Sequence, residues 1–245
     1  MADAITALGH ALNNDLEQMR SISQNLANIT TQGYKREVPV TQQFSEVLGQ
    51  GQISESSSGR LPVIDIQRDM QQGTLKFTGS AFDLAIKGKG FILVKTEQGE
   101  ALTRKGQTRI DEQGRLALVT GEVVMGESGE VFLANEPFSI DDKGIVTQGD
   151  EAINRISIVD VKDYANLQYN GKGFFSVVGG GSLDKTAVNS ASAALMQGYT
   201  ETSNVNTMEE MVRMIEISRH FETTHQILRG YDTMLDNAIN VLGDL

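Results

Sequence analysis

The sequence predicts an α+β protein in which long N- and C-terminal helices pack on one another as a coiled coil, with a mainly antiparallel β domain inserted between them. Two observations point to the helices. Ile5, Leu12, Met19 and Leu26 recur every seven residues near the start, interleaved with Leu8, Ile22 and Ile29. Met214, Phe221, Leu228, Leu235 and Leu242 recur likewise near the end, with Ile217, Tyr231 and Ala238 between them. Such a seam needs a partner helix. A third observation points to the β domain: the middle of the chain alternates short apolar runs with polar, glycine-containing clusters, the pattern of strands joined by tight turns.

The first helix is expected from about Asp3 to Thr30, with Asp15 the one polar intrusion into its seam. Two β-branched threonines, Thr30 and Thr31, weaken its continuation, and Gly33 supplies a left-handed cap position. Tyr34 to Gly79 reads as a connector, with a Gly-, Ser- and Gln-rich loop from Gly49 to Gly59 and a short extended piece at Leu61, Val63, Ile64 and Ile66. Strands are expected at Phe91 to Val94, Arg115 to Val119, Val131 to Leu133 and Ile156 to Val159. Between them Gly99, Gly114, Gly129 and Gly144 fall at one interval of fifteen residues, each in an acidic or amide-rich turn. The strands they separate do not resemble one another, so the interval alone does not establish a repeat. Val178 to Ala194, rich in Gly, Ser and Ala, reads as a second connector. Ser203 to Thr207 then offers N-cap side chains, and Glu209 and Glu210 suit the first turn of a helix running to about Leu242. Gly230 weakens that helix by about 1 kcal/mol relative to alanine. The expected organisation is therefore residues 1–36 and 197–245 as the helical assembly part, 37–79 as connector, 80–178 as β domain and 179–196 as connector.

The 245 residues, 39% of them hydrophobic, are enough for a substantial core. A formal charge of -11 argues against a nucleic-acid partner, because phosphate binding relies on clustered Lys and Arg. The absence of cysteine excludes thiol nucleophiles, Cys-ligated metals and disulfides. Asn13, Asn14, Asp15 and Glu17 break any secretory h-region, and no run reaches the roughly 18 apolar residues of a membrane span. Neither a cleaved signal nor direct membrane insertion is expected.

Chemistry-bearing candidates have plainer explanations. His220 and His225 are five apart, about 140° around a helix, which does not suit a shared metal ion. With His10 they read as helix-surface residues. Lys87-Gly88-Lys89-Gly90-Phe91 lacks the further Gly-Lys-Ser/Thr of a phosphate loop and leads into a strand, so its glycines shape a turn. Asp83, Asp111, Asp141, Asp142 and Asp163 do not have calcium-loop spacing and read as turn or surface residues. Asn28-Ile29-Thr30 satisfies a glycosylation pattern by chance. No catalytic residue, metal, cofactor or small-molecule substrate is expected. A rival class remains: a ligand-binding or enzymatic β module carried on a helical dimerisation stalk.

Ser23-Gln24-Asn25-Leu26-Ala27-Asn28-Ile29-Thr30-Thr31-Gln32-Gly33-Tyr34-Lys35 resembles the N-terminal signature of the bacterial flagellar rod and hook proteins, Ser-x-Asn-x-Ala-Asn-x-x-Thr-x-Gly-Tyr/Phe-Lys, at every specified position. The resemblance continues in Asp83 to Phe91, Thr103-Arg104-Lys105-Gly106, Gly114-Arg115-Leu116 and Gly198 to Asn206, where Thr200 stands in place of leucine. It is completed by Met214-Ile215, Arg219, Phe221-Glu222 and Asp232. The resemblance implies a non-enzymatic subunit of a helically wound tube that transmits torque, with terminal helices lining the tube and β domains outside. It implies as partners other copies of itself, neighbouring rod proteins and the flagellar export apparatus. The implied location is the basal-body rod crossing the periplasm, reached without a cleaved signal. A single β domain suits a proximal or distal rod subunit better than a hook protein, and Ser218 to Glu222 with Asp236 to Gly243 is more like the proximal one. On this reading Ile5, Leu12, Met19, Leu26, Met214, Phe221, Leu228 and Leu235 form the assembly interface, and Asn25, Asn28, Gly33, Ser203 and Asn204 set the helix boundaries.

Overall fold

The computed structural model describes residues 2–41, 64–134, 136–161, 164, 167–177, 186–187 and 193–243. The expected loop from Gly49 to Gly59, the side chains of Leu61 and Val63, and Asp163 lie outside these. The chain forms two compact units, one of residues 1–27, 37–69 and 206–245, the other of residues 28–36 and 70–205.

The first unit is built on helix α1 (Ala2–Ala27) and helix α2 (Thr207–Gly243), joined by a ribbon of strands β1 (Glu37–Thr41) and β2 (Ile64–Arg68). The ribbon is antiparallel, with Glu37 opposite Arg68 and Thr41 opposite Ile64. The two helices run antiparallel against each other: Asn25 meets Glu210 and, ten residues further along each, Asp15 meets His220. The packed centre is not the row of Ile5, Leu12, Met19 and Leu26, which is half-buried throughout. On α1 the deeply buried side chains are Asp15, Ser21, Ile22 and Asn25, and on α2 they are Glu210 and Thr224. Asp15 and Ile22 belong to the interleaved row with Leu8, and Glu210 and Thr224 to the row with Ile217 and Tyr231. Polar groups thus share the contact between the two helices with apolar ones.

The second unit is antiparallel β throughout. Its central sheet contains β5 (Phe91–Thr96), β6 (Gly99–Thr103), β7 (Thr108–Ile110), β8 (Leu116–Leu118) and β9 (Val123–Gly126). The β10 strand (Gly129–Glu130) folds back antiparallel on β9, and β11 (Phe138–Ile140), β12 (Ile145–Gln148) and β13 (Glu151–Arg155) form a separate three-stranded sheet. The central sheet is completed by β14 (Ile158–Asp160), β15 (Leu167–Tyr169), β16 (Phe174–Val177) and β17 (Thr186–Ala187). Two short ribbons close the unit. In one, β3 (Leu75–Phe77) pairs with β19 (Tyr199–Glu201); in the other, β4 (Leu84–Gly88) pairs with β18 (Ala193–Gln197). Leu84, Ile86, Val94, Leu116, Leu118, Val124 and Val131 sit in one core, and Phe91, Leu93, Leu102 and Phe175 in a second.

Two sequence expectations change here. Val131 to Leu133 is not a ladder strand: it meets Arg115 through a single bridge at Phe132, although Val131 and Leu133 are buried. Its apolar residues are held by isolated bonds, from Leu116 N–H to Val131 O and from Leu133 N–H to Gly114 O. Ala193 to Met196, inside the segment read as a connector from its Gly, Ser and Ala content, instead form a strand with Gln197, because pairing along β4 outweighs local preference.

The glycine interval also takes on structure. Gly99 and Gly129 (φ 121° and 106°) close two-residue hairpins, with Thr96 opposite Gly99 and Gly126 opposite Gly129. Gly114 and Gly144 (φ 76° and 81°) instead end turns organised by an aspartate. Asp111 Oδ1 accepts the N–H groups of Gln113 and Arg115 at 2.9 and 2.8 Å, and Asp141 Oδ1 accepts those of Lys143 and Ile145 at 3.0 and 2.7 Å. The turns alternate, so the repeat length is thirty residues rather than fifteen. The apolar residues agree at that offset: Ala101 with Val131, Ile110 with Ile140, and Leu116 with Val146 all pack in the first core.

Arg115 ties Asp111 to Glu130, and Lys95 reaches the other oxygen of Glu130. Desolvation alone would raise the Asp111 carboxyl, but hydrogen bonds from Arg115 and from Gln113 N–H outweigh it and hold it below its ordinary value. Glu130 is lowered chiefly by the Lys95 hydrogen bond, against desolvation and with help from Arg115. Carboxyls lowered on folding stabilise the unit above their unfolded values, near pH 4, and lose that contribution as pH falls through the folded ones. The β unit should therefore lose thermal stability below about pH 4. In Arg115→Gln, scans of melting temperature against pH should show a shallower decline.

Candidate functional site

Three of the segments singled out in the sequence converge within the β unit. Lys35, from the N-terminal signature, Arg104, from Thr103 to Gly106, and Glu201, from the segment ahead of α2, form a buried ionic cluster with side chains 1%, 4% and 1% exposed. Glu201 Oε1 accepts Lys35 Nζ at 2.7 Å and Gly73 N–H at 3.0 Å, and Oε2 accepts Arg104 Nη1 at 3.2 Å. Lys35 Nζ also donates to Gln71 O at 2.7 Å, and Arg104 Nη2 to Gly88 O at 2.8 Å. Arg104 lies over the Phe91 ring, 5.4 Å from its centroid. A buried carboxylate facing two cations with its oxygens satisfied is a stable arrangement only when complete; removing one member leaves uncompensated charge. None of the three was selected from sequence as a site residue. The signal available was the clustering of charged residues inside otherwise small and apolar motif segments.

The boundary residues are placed as follows. Asn25 acts like a strand residue: its Nδ2 donates to Glu37 O at 2.9 Å and its Oδ1 accepts Glu37 N–H at 2.8 Å, so the side chain fixes where β1 begins. Its Nδ2 also donates to Glu210 Oε2 at 3.3 Å. Asn28 accepts Thr31 N–H on its carbonyl and the Thr31 hydroxyl on its amide oxygen. Gly33 adopts φ 65° and donates to Glu201 O at 2.9 Å; a Cβ there would stand 2.6 Å from the Arg104 carbonyl carbon. Asn204 bridges two segments, accepting Arg36 N–H at 2.8 Å and donating to Gln71 O at 3.2 Å. Ser203 Oγ accepts Val205 N–H at 3.3 Å. The cap of α2 is Asn206, whose Oδ1 accepts Met208 N–H at 3.2 Å. Asn206 lies in the Ser203-to-Thr207 cap segment, beside the expected boundary residues Ser203 and Asn204.

The seam positions Ile5, Leu12, Met19, Leu26, Met214, Phe221, Leu228 and Leu235 are all half-buried in the helix pair. A further apolar row on α2 is outside it. Met208, Met211, Val212 and Ile215, spaced as one helical face, are 79%, 52%, 54% and 54% exposed. Ile227 and Met234 are exposed beyond them.

His220 does not stand alone on the helix surface. Its Nδ1 meets Asp15 Oδ2 at 2.7 Å, with the histidine 64% exposed and the aspartate 7%. Asp15→Leu should therefore raise the melting temperature of the helical signal, because it removes a buried carboxylate from an apolar row and releases only an exposed partner. The gain is about 1 to 2 kcal/mol; a lower melting temperature would contradict this.

Gly88 and Gly90 (φ 101° and 112°) shape the turn between β4 and β5. Among the described residues no group of three His, Asp or Glu side chains could hold a metal ion, and no helix is long and apolar enough to cross a membrane.

Residues 196–241 match the family model described as flagellar basal body rod FlgEFG protein C-terminal. Across the whole chain, "Flagellar basal-body rod protein FlgG" of Buchnera aphidicola subsp. Schizaphis graminum is 30% identical over 237 residues, covering 89% of this chain and 91% of the relative. "Flagellar basal-body rod protein FlgF" of Mesorhizobium japonicum is 27% identical over 230 residues, covering 92% of each. "Flagellar hook-basal body complex protein FlhO" of Bacillus subtilis is 25% identical over 249 residues, covering 91% of this chain and 92% of the relative.

Proposed function

Because the chain belongs to the family of flagellar basal-body rod proteins, we propose that it polymerises through its terminal helices into a helical tube that transmits torque. It is a structural subunit of the flagellar basal body and not an enzyme, and it assembles with other rod components. The observation that carries the polymerisation reading is the apolar surface left on the helix pair: half-buried seams on both helices and the exposed row from Met208 to Ile215. Covering one such side chain in a subunit contact contributes about 1.5 to 3 kcal/mol, and a tube repeats the contact at every subunit.

Within that reading the partners are further copies of the same chain, neighbouring rod proteins and the flagellar export apparatus. Helices of neighbouring subunits interlock as coiled coils, using Ile5, Leu12, Met19 and Leu26 with Met214, Phe221, Leu228 and Leu235. The zone is the proximal rod, across the periplasm, on the strength of Ser218 to Glu222 and Asp236 to Gly243. The test is labelled electron microscopy of isolated basal bodies. Label at the membrane-proximal end of the rod is expected; label confined to its distal end would assign the chain to the distal zone, and label absent from the rod would remove the proposal.

A further inference from the structure

The ionic cluster of the β unit unites the most distant parts of that unit. Glu201 meets Lys35 across 166 residues, Gly73 across 128 and Arg104 across 97. Around it, Gly33 N–H donates to Glu201 O, Thr202 N–H donates to Thr74 O, and Asn204 spans Arg36 and Gln71, so these contacts of residues 201, 202 and 204 are likewise non-local. Hairpins between neighbours in sequence, β5 with β6, β7 with β8, β11 with β12 and β15 with β16, make up the local part of the unit, whereas β3 with β19 and β4 with β18 join its two ends beside the cluster. Local pairs close small loops and form early; contacts that close long loops are rewarded only after the intervening chain is ordered. A carboxylate entering a buried pocket also loses its water, so it docks favourably only where both cations and the Gly73 N–H are already positioned.

We propose that Glu201 is the closing element of the β unit: a latch that docks last, onto a socket formed by Lys35, Arg104 and the Gly73 backbone. Until residue 201 arrives the hairpins are present but the ends of the unit stay open. A chain delivered from its N-terminus, as in synthesis, completes this unit only when the segment leading into α2 has emerged. This order of folding is independent of the zone of the rod the subunit occupies.

Two measurements on the full chain test it. In pulse-labelled hydrogen exchange during refolding of the unaltered protein, the amides of Gly33 and Gly73, both bonded to Glu201, should gain protection after that of Leu118, which bonds within the hairpin to Glu122 O. Protection of Gly33 and Gly73 together with, or ahead of, Leu118 would overturn the latch. The second measurement is a chevron for Glu201→Gln, followed by tyrosine fluorescence, since Tyr34, Tyr164, Tyr169 and Tyr199 all lie in this unit. Interactions absent from the transition state act on unfolding, so the variant should unfold roughly tenfold faster or more, while its folding rate stays within about twofold. A folding rate reduced in proportion to the lost stability, or two unchanged limbs, would overturn the proposal. If Glu201→Gln does not fold, the exchange order in the unaltered protein decides alone.

Discussion

Leu26→Asp is expected to abolish swimming while leaving both units folded. Leu26 stands in the half-buried seam row of α1, one residue from Asn25, and not in the packed row of Asp15 and Ile22. The isolated chain can therefore keep the new carboxylate in water at small cost. A subunit contact that covers this row cannot: it loses about 1.5 to 3 kcal/mol of leucine burial, and it must in addition desolvate a charge. Repetition along a polymer turns that loss per subunit into failure to assemble. Two companions separate the effect from charge and from side-chain loss. Ser23→Asp adds the same charge at an exposed position and should swim. Leu26→Met keeps the apolar volume and should swim as well. Swarm diameter in a strain lacking the native copy, read beside circular dichroism of the purified variants, gives both outcomes. Normal swimming by Leu26→Asp would sink the assembly role of this row.

The helices and turns were legible in the chain because their signals are local and periodic. The heptads from Ile5 to Leu26 and from Met214 to Leu242 give α1 and α2, and the polar clusters around Gly114 and Gly144 give two of the turns, with Asp111 and Asp141 organising them in the structure. Which row of a heptad faces the partner was not legible. Both rows are apolar enough to qualify, and the deciding contacts are polar pairs between helices, Asp15 with His220 and Asn25 with Glu210. The ionic cluster was hidden for a related reason. Lys35, Arg104 and Glu201 each look like an ordinary surface charge among its sequence neighbours, and only the pairing of remote strands buries them together. The strand at Ala193 to Gln197 likewise owes its conformation to β4 rather than to its own composition. What one chain displays is local propensity; the register of helices and the partners of buried charges are properties of long-range pairing.

The largest stability effect is expected at a glycine that no turn requires. Gly106 is buried, and its carbonyl accepts Leu84 N–H at 2.8 Å. A Cβ on residue 106 would stand 1.5 Å from Leu84 O and 2.6 Å from the Leu84 carbonyl carbon. The obstacle is backbone, so no rotamer change relieves it; the chain at β4 has to move, and Leu84 and Ile86 move out of the main core with it. Gly106→Ala should therefore destabilise the β unit by more than about 4 kcal/mol, a loss comparable to the whole stability of many domains. Gly99→Ala is the informative contrast. Gly99 has φ 121° with no neighbouring atom within 4 Å of a Cβ, so the substitution there meets backbone strain alone. That costs about 1 to 3 kcal/mol. Urea unfolding of the two variants by tyrosine fluorescence should place Gly99→Ala at a reduced but measurable midpoint, and show Gly106→Ala unfolded or nearly so without denaturant. Equal midpoints would mean that the contact between residue 106 and β4 is not what holds that strand in the core.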